Sequence, residues 1–321
     1  MYNDIKLEKG LYSINGKTFT QALEQLDPDS AYENTDMAGL DAFERQLKRF
    51  NIKVRGESCD RVEKFFENTQ SAVLFPEFVR RAIKAGMDGA SILGKVVAAV
   101  TYTDGLDHRG LTVVKGGNTD VVEQGGELPV TTVRLASTPS QLTKFARKLS
   151  CSYEAIRKQR LEAFAVILRN LGASLARDIN GLCMEVAADG AQETTLTGDI
   201  TYAALAEFWG SMGDNDMTAM VCKPELMAQI LGLSEMKYCV GDYMSGGVVK
   251  TPYGVTLIKC PQLGDVQALG IDKSSAIEAV FGTDVVVDFD KLISTQCSEI
   301  ACSVTVGFSK LTDGAVRAIA D

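Results

Sequence analysis

Residues 152–189 read SYEAIRKQRLEAFAVILRNLGASLARDINGLCMEVAAD, and this stretch decides how the rest of the chain is understood. Its apolar residues Phe164, Leu168, Leu171, Leu175, Ile179, Leu182 and Val186 step by four, three, four, four, three and four. That repeat is one buried face of an α-helix. Charged residues from Arg157 to Glu185 surround it, and no proline interrupts it. Gly172 and Gly181 are its weak points, each costing about 1 kcal/mol against alanine. Ser152 with Glu154 predicts the start, and Ala188-Asp189-Gly190 the stop. Such a helix would run about 55 Å, longer than a small domain is wide, and so predicts a strut with other pieces docked along it.

The whole chain has 321 residues, 45% of them hydrophobic, enough to fill a sizeable core. Its formal charge of −9 argues against a general nucleic-acid binder. Residues 1–37 hold 3 bases and 7 acids, residues 38–189 hold 22 and 18, and residues 190–321 hold 8 and 17. A mildly basic middle between acidic ends is suited to pairing across subunits. None of the eight cysteines forms a C-x-x-C pair and several lie in apolar runs, which predicts small buried hydrophobes in a reducing compartment. There is no N-terminal apolar signal and no run of about 18 apolar residues, so the chain is expected to be soluble, made inside a cell and not inserted in a membrane.

Upstream of the helix, residues 1–37 are polar and acidic, with Asn15-Gly16 and Asp27-Pro28, and are expected to form an extended arm or disordered tail. Short helices are predicted over 38–50, around Val62 to Phe66, and from Phe75-Pro76 to about Ala85, with Ile52 to Arg55 alternating like a strand. Ile92 to Tyr102 is β-rich. Beyond a glycine-rich section, Val130–Ala136 and Gln141–Ser150 alternate on either side of Ser137-Thr138-Pro139-Ser140, the pattern of a long β-hairpin. A two-stranded ribbon is marginal alone and needs a holder, either the domain body or a neighbouring subunit. Downstream, helices are expected over Thr201–Met212 and Pro224–Leu231, with a flexible loop at 238–250. Strands are expected at Thr218–Cys222, Val255–Cys260, Val266–Ile271, Ala276–Phe281, Val285–Phe289 and Ser298–Phe308, giving an α+β class.

No catalytic, cofactor-binding or metal-ligating constellation emerges. The one histidine, His108, sits between Asp107 and Arg109 and reads as a solvated loop residue. The paired glycines at 116–117, 125–126 and 246–247 lack the following helix of a phosphate-binding loop. Asp284, Asp288 and Asp290 lack the spacing of a calcium loop and read as edge charges. The strongest electrostatic feature is a basic arm, Arg45, Lys48, Arg49, Lys53 and Arg55, continued by Arg61 and Lys64 and placed to touch nucleic acid or an acidic neighbour. On the hairpin, Arg134, Lys144, Arg147 and Lys148 are the candidate inter-subunit contacts.

The order of elements carries a resemblance. Glu-Gln-Gly-Gly-Glu-Leu-Pro at 123–129 precedes the hairpin ending Lys144-Phe145-Ala146-Arg147-Lys148-Leu149-Ser150-Cys151-Ser152, and the long helix follows, closing Leu175-Ala176-Arg177-Asp178-Ile179-Asn180-Gly181. Ala219 to Leu226, Thr251 to Ile258, and Phe281-Gly282-Thr283 with Val285 to Phe308 continue the series. Over residues 38–321 this resembles the major capsid proteins of tailed bacteriophages with the HK97-type fold. The resemblance implies an N-terminal arm and short helices over 1–90, an extended β-hairpin loop over 91–151 and a peripheral-domain spine helix over 152–200. It further implies an axial domain over 201–280 and C-terminal strands returning to the peripheral domain over 281–321.

The implied function is a non-enzymatic shell subunit that self-assembles into hexamers and pentamers of an icosahedral head around double-stranded DNA. The implied partners are a portal, a separate scaffolding or decoration protein and the packaged DNA, held by non-specific contact. The implied location is the virion capsid, assembled in the host cytoplasm. The chain begins at Met1 with about 37 residues before the first helix, which is expected to mean no proteolytic removal of a scaffolding region. Lys115 and Lys144 are candidates for covalent cross-linking by location alone. An encapsulin-like compartment shell, another phage structural protein and a soluble enzyme remain the rival readings.

Overall fold

The structure is a computed structural model and describes residues 5–14, 17–105, 107–115, 122, 124–126, 128, 130–135, 139–195, 200–239, 241, 248–312 and 314–320. Its helices are α1 Phe19–Leu26, α2 Ala42–Arg49, α3 Thr69–Ala72, α4 Phe75–Ala90, α5 Leu93–Val96, α6 Tyr153–Lys158, α7 Leu161–Ala188, α8 Tyr202–Gly210 and α9 Pro224–Leu231. Its strands are β1 Ala99–Tyr102, β2 Asp107–His108, β3 Leu111–Lys115, β4 Thr131–Leu135, β5 Ser140–Gln141, β6 Thr143–Ser152 and β7 Gln192–Thr194. They continue with β8 Ala219–Cys222, β9 Thr256–Lys259, β10 Val266–Ile271, β11 Ile277–Leu292, β12 Cys297–Lys310 and β13 Val316–Ala320. The chain divides into two compact units, one of residues 1–90, 146–175 and 285–303, the other of residues 91–145, 176–284 and 304–321. The class is α+β, as the sequence predicts.

In the second unit a five-stranded sheet has the order β7-β13-β10-β8-β9. All four residues of β8 are buried, the mark of a central strand covered on both faces. Leu205 and Phe208 from α8 and Leu226 and Ile230 from α9 close over Met220, Leu257 and Ile319. Pro224 at the first turn of α9 has no N–H to leave unsatisfied there. A four-stranded sheet has the order β1-β11-β12-β6. The segments Ala276–Phe281 and Val285–Phe289, expected as separate strands, are one continuous strand, β11.

The long helix is broken once. Gln159 is extended (φ −69°, ψ 141°), so a six-residue helix, α6, precedes α7 of 28 residues, about 42 Å long. The break has a backbone cause. Val62 N–H donates to the Gln159 carbonyl at 3.0 Å and Leu161 N–H donates to the Asp60 carbonyl at 2.9 Å, so groups that would continue the helix are bonded elsewhere. Within α7, Phe164, Leu168, Leu175 and Ile179 are buried as their spacing predicts, while Leu171, Leu182 and Val186 are only half-buried. Small residues, Gly172, Ala176, Cys183 and Ala187, take the covered positions instead. In the first unit a Cβ on Gly172 would overlap the Ile83 carbonyl oxygen, and one on Gly86 would overlap the Arg169 carbonyl oxygen. The two glycines thus let the backbones of α4 and α7 touch, and Gly172 is a contact point where the sequence suggests a weak one.

The hairpin expectation is corrected. Val130–Ala136 and Gln141–Ser150 do not pair with each other. β4 pairs antiparallel with the earlier strand β3, with Leu111 opposite Leu135, Val113 opposite Val133 and Lys115 opposite Thr131. β6 instead lies beside β12, and β5 pairs with β2. Phe145 and Leu149 on β6 gain more cover in a four-stranded sheet than a two-stranded ribbon provides, and tertiary burial overrides sequence adjacency. The expected turn residues Ser137 and Thr138, and Gly116-Gly117, Glu123, Glu127, Pro129 and most of 240–247, lie outside the described residues. Ile52 to Arg55 forms no strand, and Ile92 to Tyr102 opens with α5 before β1.

The first 37 residues are not an extended arm or a disordered tail where they are described. Ile5, Leu7, Phe19, Leu23, Tyr32 and Met37 are buried, and Thr18 and Gln21 form a reciprocal capping box on α1. Composition hid this because the acids of the segment are the partners of cations further along.

Candidate functional site

The basic arm disperses on folding. Arg45, on the inner face of α2, is 1% exposed. Its Nε donates to Asp27 Oδ2 at 3.2 Å, its guanidinium reaches Asp29 Oδ1 at 2.5 Å and Glu24 Oε2 at 3.3 Å, and it lies 4.7 Å from the Tyr32 ring centroid. Asp27, itself 1% exposed, also accepts from the Tyr32 hydroxyl at 2.7 Å. Arg45 therefore cannot present charge to nucleic acid; it ties the first 37 residues to α2. The Arg45 guanidinium hydrogen-bonded to Asp29 holds that carboxyl below its ordinary range. Lys48 pairs with Asp36 at 3.1 Å, and Arg49 donates to the Ile5 carbonyl at 2.7 Å. Lys53 and Arg55 are exposed. Sequence alone could not separate these roles, since all five look like surface cations.

A second charged knot holds α1 to α4. Glu77 is fully buried, its carboxylate accepting from Arg80 at 2.8 Å, Arg81 at 2.9 Å and the Thr20 hydroxyl at 2.8 Å. Arg81 continues to Asp41 at 2.6 Å, and the Glu77 N–H donates to the Tyr12 hydroxyl at 3.1 Å. Burial by itself would raise the Glu77 carboxyl; the hydrogen bonds and charges of Arg80 and Arg81 outweigh it and hold the group below its ordinary value. A carboxylate lowered in the folded state contributes stability that is present above its unfolded pKa, about 4.3, and lost as pH falls through the folded value. Acidification below pH 4 is therefore expected to open the described part of residues 5–26 to proteolysis. Glu77→Gln should leave that segment protease-sensitive at neutral pH and largely flatten its response in this window, as digestion followed by mass spectrometry would show.

The four cations assigned to the extended loop lie on two elements. Arg134 is exposed on β4, between Val133 and Leu135. Lys144, Arg147 and Lys148 lie on β6, an edge strand of its sheet, and Lys148 is paired with Glu299 of β12 at 2.8 Å. The side chain of Lys115 lies outside what is described. The β3–β4 ribbon has an uncovered apolar surface: Leu111 is 49% exposed, Val133 58% and Leu135 62%. Burying such side chains is worth roughly 1.5–3 kcal/mol each, so a ribbon exposing three of them favours a partner surface. On the sheet edge β1, Val100 and Tyr102 are likewise exposed, and the backbone of such an edge can accept another strand.

His108 is not a solvated loop residue. Its Nε2 lies 3.3 Å from Glu278 Oε2, and Glu278 also accepts from Thr101 at 2.9 Å and Ser309 at 3.4 Å. Glu278 escaped notice because it lies inside the apolar run opening β11. Asp284, Asp288 and Asp290 are exposed along β11. Five cysteines, Cys59, Cys183, Cys222, Cys260 and Cys302, are buried and none of the eight is disulfide-bonded; burial pushes the Cys222 thiol up to about 12. Among the described residues no group of three or more His, Cys, Asp or Glu is placed to hold a metal ion. No helix among them is long and apolar enough to cross a membrane.

Comparison with known proteins gives a family and a fold. Residues 135–293 match the family model described as phage capsid protein. No curated protein sequence matches the chain. Among solved structures, the virus-like particle from Pyrococcus furiosus superposes with a TM-score of 0.55 at 14% identity, over 76% of this chain and 98% of that one. The capsid of the cyanophage P-SCSP1u gives 0.50 at 13% identity, over 72% and 88%. The capsid of an empty GTA particle gives 0.51 at 10%, over 72% and 89%. At these identities the likeness is one of fold.

Proposed function

The chain belongs to the phage capsid proteins, with the HK97-type fold of tailed-phage major capsid proteins, and from that premise we propose that it builds an icosahedral head from hexamers and pentamers around double-stranded DNA. The observation that carries the self-assembly is the β3–β4 ribbon, whose Leu111, Val133 and Leu135 remain uncovered within one chain. In an assembled shell a neighbouring subunit covers them, and contacts of modest strength become decisive through repetition. Arg134, Lys144 and Arg147 supply charge to these contacts, while Lys148 braces β6 against β12 through Glu299. In this reading residues 1–90 form a folded N-terminal segment with its short helices, 91–151 the extended loop, 152–200 the spine, 201–280 the axial part and 281–321 the returning strands. A portal, a scaffolding or decoration protein and DNA held without sequence preference complete the particle, which assembles in the host cytoplasm. The matched family model favours a phage shell over an encapsulin-like compartment.

Electron microscopy of the purified chain under assembly conditions tests the proposal. Closed shells are expected, and only small soluble oligomers would sink it. In Val133→Glu/Leu135→Glu the subunit should fold as wild type while shell yield falls at least about tenfold, the factor that a loss of 1.4 kcal/mol per contact already produces. Normal shells from that variant would show that the ribbon is not an assembly contact.

A further inference from the structure

The β3–β4 ribbon leaves the second unit through a short root. β2 pairs with β5, with His108 opposite Ser140, and β3 begins three residues after His108. The root sits against β11 and β12, neighbours in the four-stranded sheet, at a glycine in each. A Cβ on Gly307 of β12 would meet Leu142 Cδ2 at 2.8 Å and the Gln141 carbonyl oxygen at 3.1 Å, and one on Gly282 of β11 would meet Leu142 Cδ1 at 3.1 Å. From the β2 side, a Cβ on Gly110 would meet Ser309 Oγ at 2.8 Å. None of these three glycines lies in the left-handed region, so turn geometry does not call for them. Glycine inside a strand costs order and packing, and its use on two neighbouring strands marks the close approach of another segment. Gly282 and Gly307 form a socket for Leu142.

A hydrogen-bonded latch lies beside the socket. Glu278 of β11, 8% exposed, accepts from Thr101 of β1 at 2.9 Å and from Ser309 of β12 at 3.4 Å, both members of the sheet. His108, whose Nε2 lies 3.3 Å from Glu278 Oε2, comes from the root. A buried carboxylate is costly unless it is hydrogen-bonded, so lifting the root exposes Glu278 to that cost. We propose that socket and latch are a positioning device, which fixes the direction in which the ribbon leaves the second unit and holds Leu111, Val133 and Leu135 ready for a neighbour. A two-stranded ribbon is marginal alone, and ordering it in advance removes part of the entropy cost of association. The consequence for assembly rests on the shell reading; the seating of the root does not.

Hydrogen exchange of the full-length, unassembled chain, read by mass spectrometry, tests the seat. Leu142→Ala empties the socket and His108→Ala removes the latch, and neither alters a strand of the four-stranded sheet where the root rests. In both, the amides of β3 and β4 are expected to exchange about tenfold faster or more, while those of β8 and β10 keep wild-type rates. Gln141→Ala keeps the carbonyl and changes only an exposed side chain, and should match wild type. From the sheet side, Gly307→Val fills the socket and should loosen the ribbon as Leu142→Ala does; if it does not fold, the two root variants carry the comparison. Wild-type exchange in the folded variants, or faster exchange spread over β8 and β10, overturns the seat. Circular dichroism showing both root variants unfolded also overturns it, since the root would then be part of the core. Electron microscopy of the same proteins tests the consequence: Leu142→Ala should lower shell yield about tenfold. A loosened ribbon with wild-type shell yield overturns the positioning role. If the wild type forms no shells while both root variants loosen the ribbon, the shell reading fails and the seat stands.

Discussion

Arg45→Met is expected to destabilise the unassembled subunit by about 3–5 kcal/mol, the usual result of removing one partner from a buried ion pair. The methionine fits the hydrophobic volume around α2, but Asp27 remains buried, keeping its bonds from Tyr32 and Gln46 and losing the guanidinium that balances its charge. The loss arises from the missing countercharge to that carboxylate and from the released backbone carbonyls of Asp27 and Leu40, which Arg45 now binds. Urea unfolding monitored by circular dichroism measures it, and a change below about 1 kcal/mol would show that Arg45 behaves as a surface cation. Lys48→Met, which breaks only the exposed pair with Asp36, should leave the unfolding midpoint where it is. The contrast between two cations three positions apart on one short helix is the most direct measure of how far the N-terminal segment is fastened down.

Substitutions at the glycines of α7 are expected to differ in sign. By helix propensity alone, Gly172→Ala and Gly181→Ala should each stabilise by about 1 kcal/mol. A Cβ at residue 181 would meet the Gln262 side chain at 3.4 Å, an ordinary contact, so Gly181→Ala is expected to follow propensity. At residue 172 the same atom would overlap the Ile83 carbonyl, and the two helices must separate to admit it. Gly172→Ala is therefore expected to destabilise by about 1–3 kcal/mol, and Gly172→Val by more, the pattern of an overpacked contact. Gly86→Ala should match it from the other side, since its Cβ would overlap the Arg169 carbonyl. Chemical denaturation of the three alanine variants decides between the two accounts. Stabilisation by Gly172→Ala would mean that the helices do not meet there.

Local patterns carried most of the helices and the central strands of the second unit, because their signals lie within a few residues. Pro224 with its apolar neighbours marked α9 to the residue, and the run 266–271 marked β10. The stripe from Phe164 to Ile179 marked α7, and it also supported the strut on which the resemblance to a shell protein rests. Partner choice was not local. Whether Val133 pairs with a later strand or with Val113, whether residues 60–62 interrupt a helix a hundred positions away, and whether Arg45 faces solvent or Asp27 all depend on which surfaces meet once the chain is compact. Of the candidate site, the sequence named the exposed cations Arg134 and Lys144 but not the uncovered Leu111, because exposure belongs to the folded surface. The sequence by itself determined most of the helices from α2 onward, the central strands of the second unit and the α+β class, since propensity and periodicity act over one or two turns of chain. Only the tertiary structure decided the strand partners, the glycine crossing and which charges are buried, because those follow from burial and backbone hydrogen bonding between segments far apart in sequence.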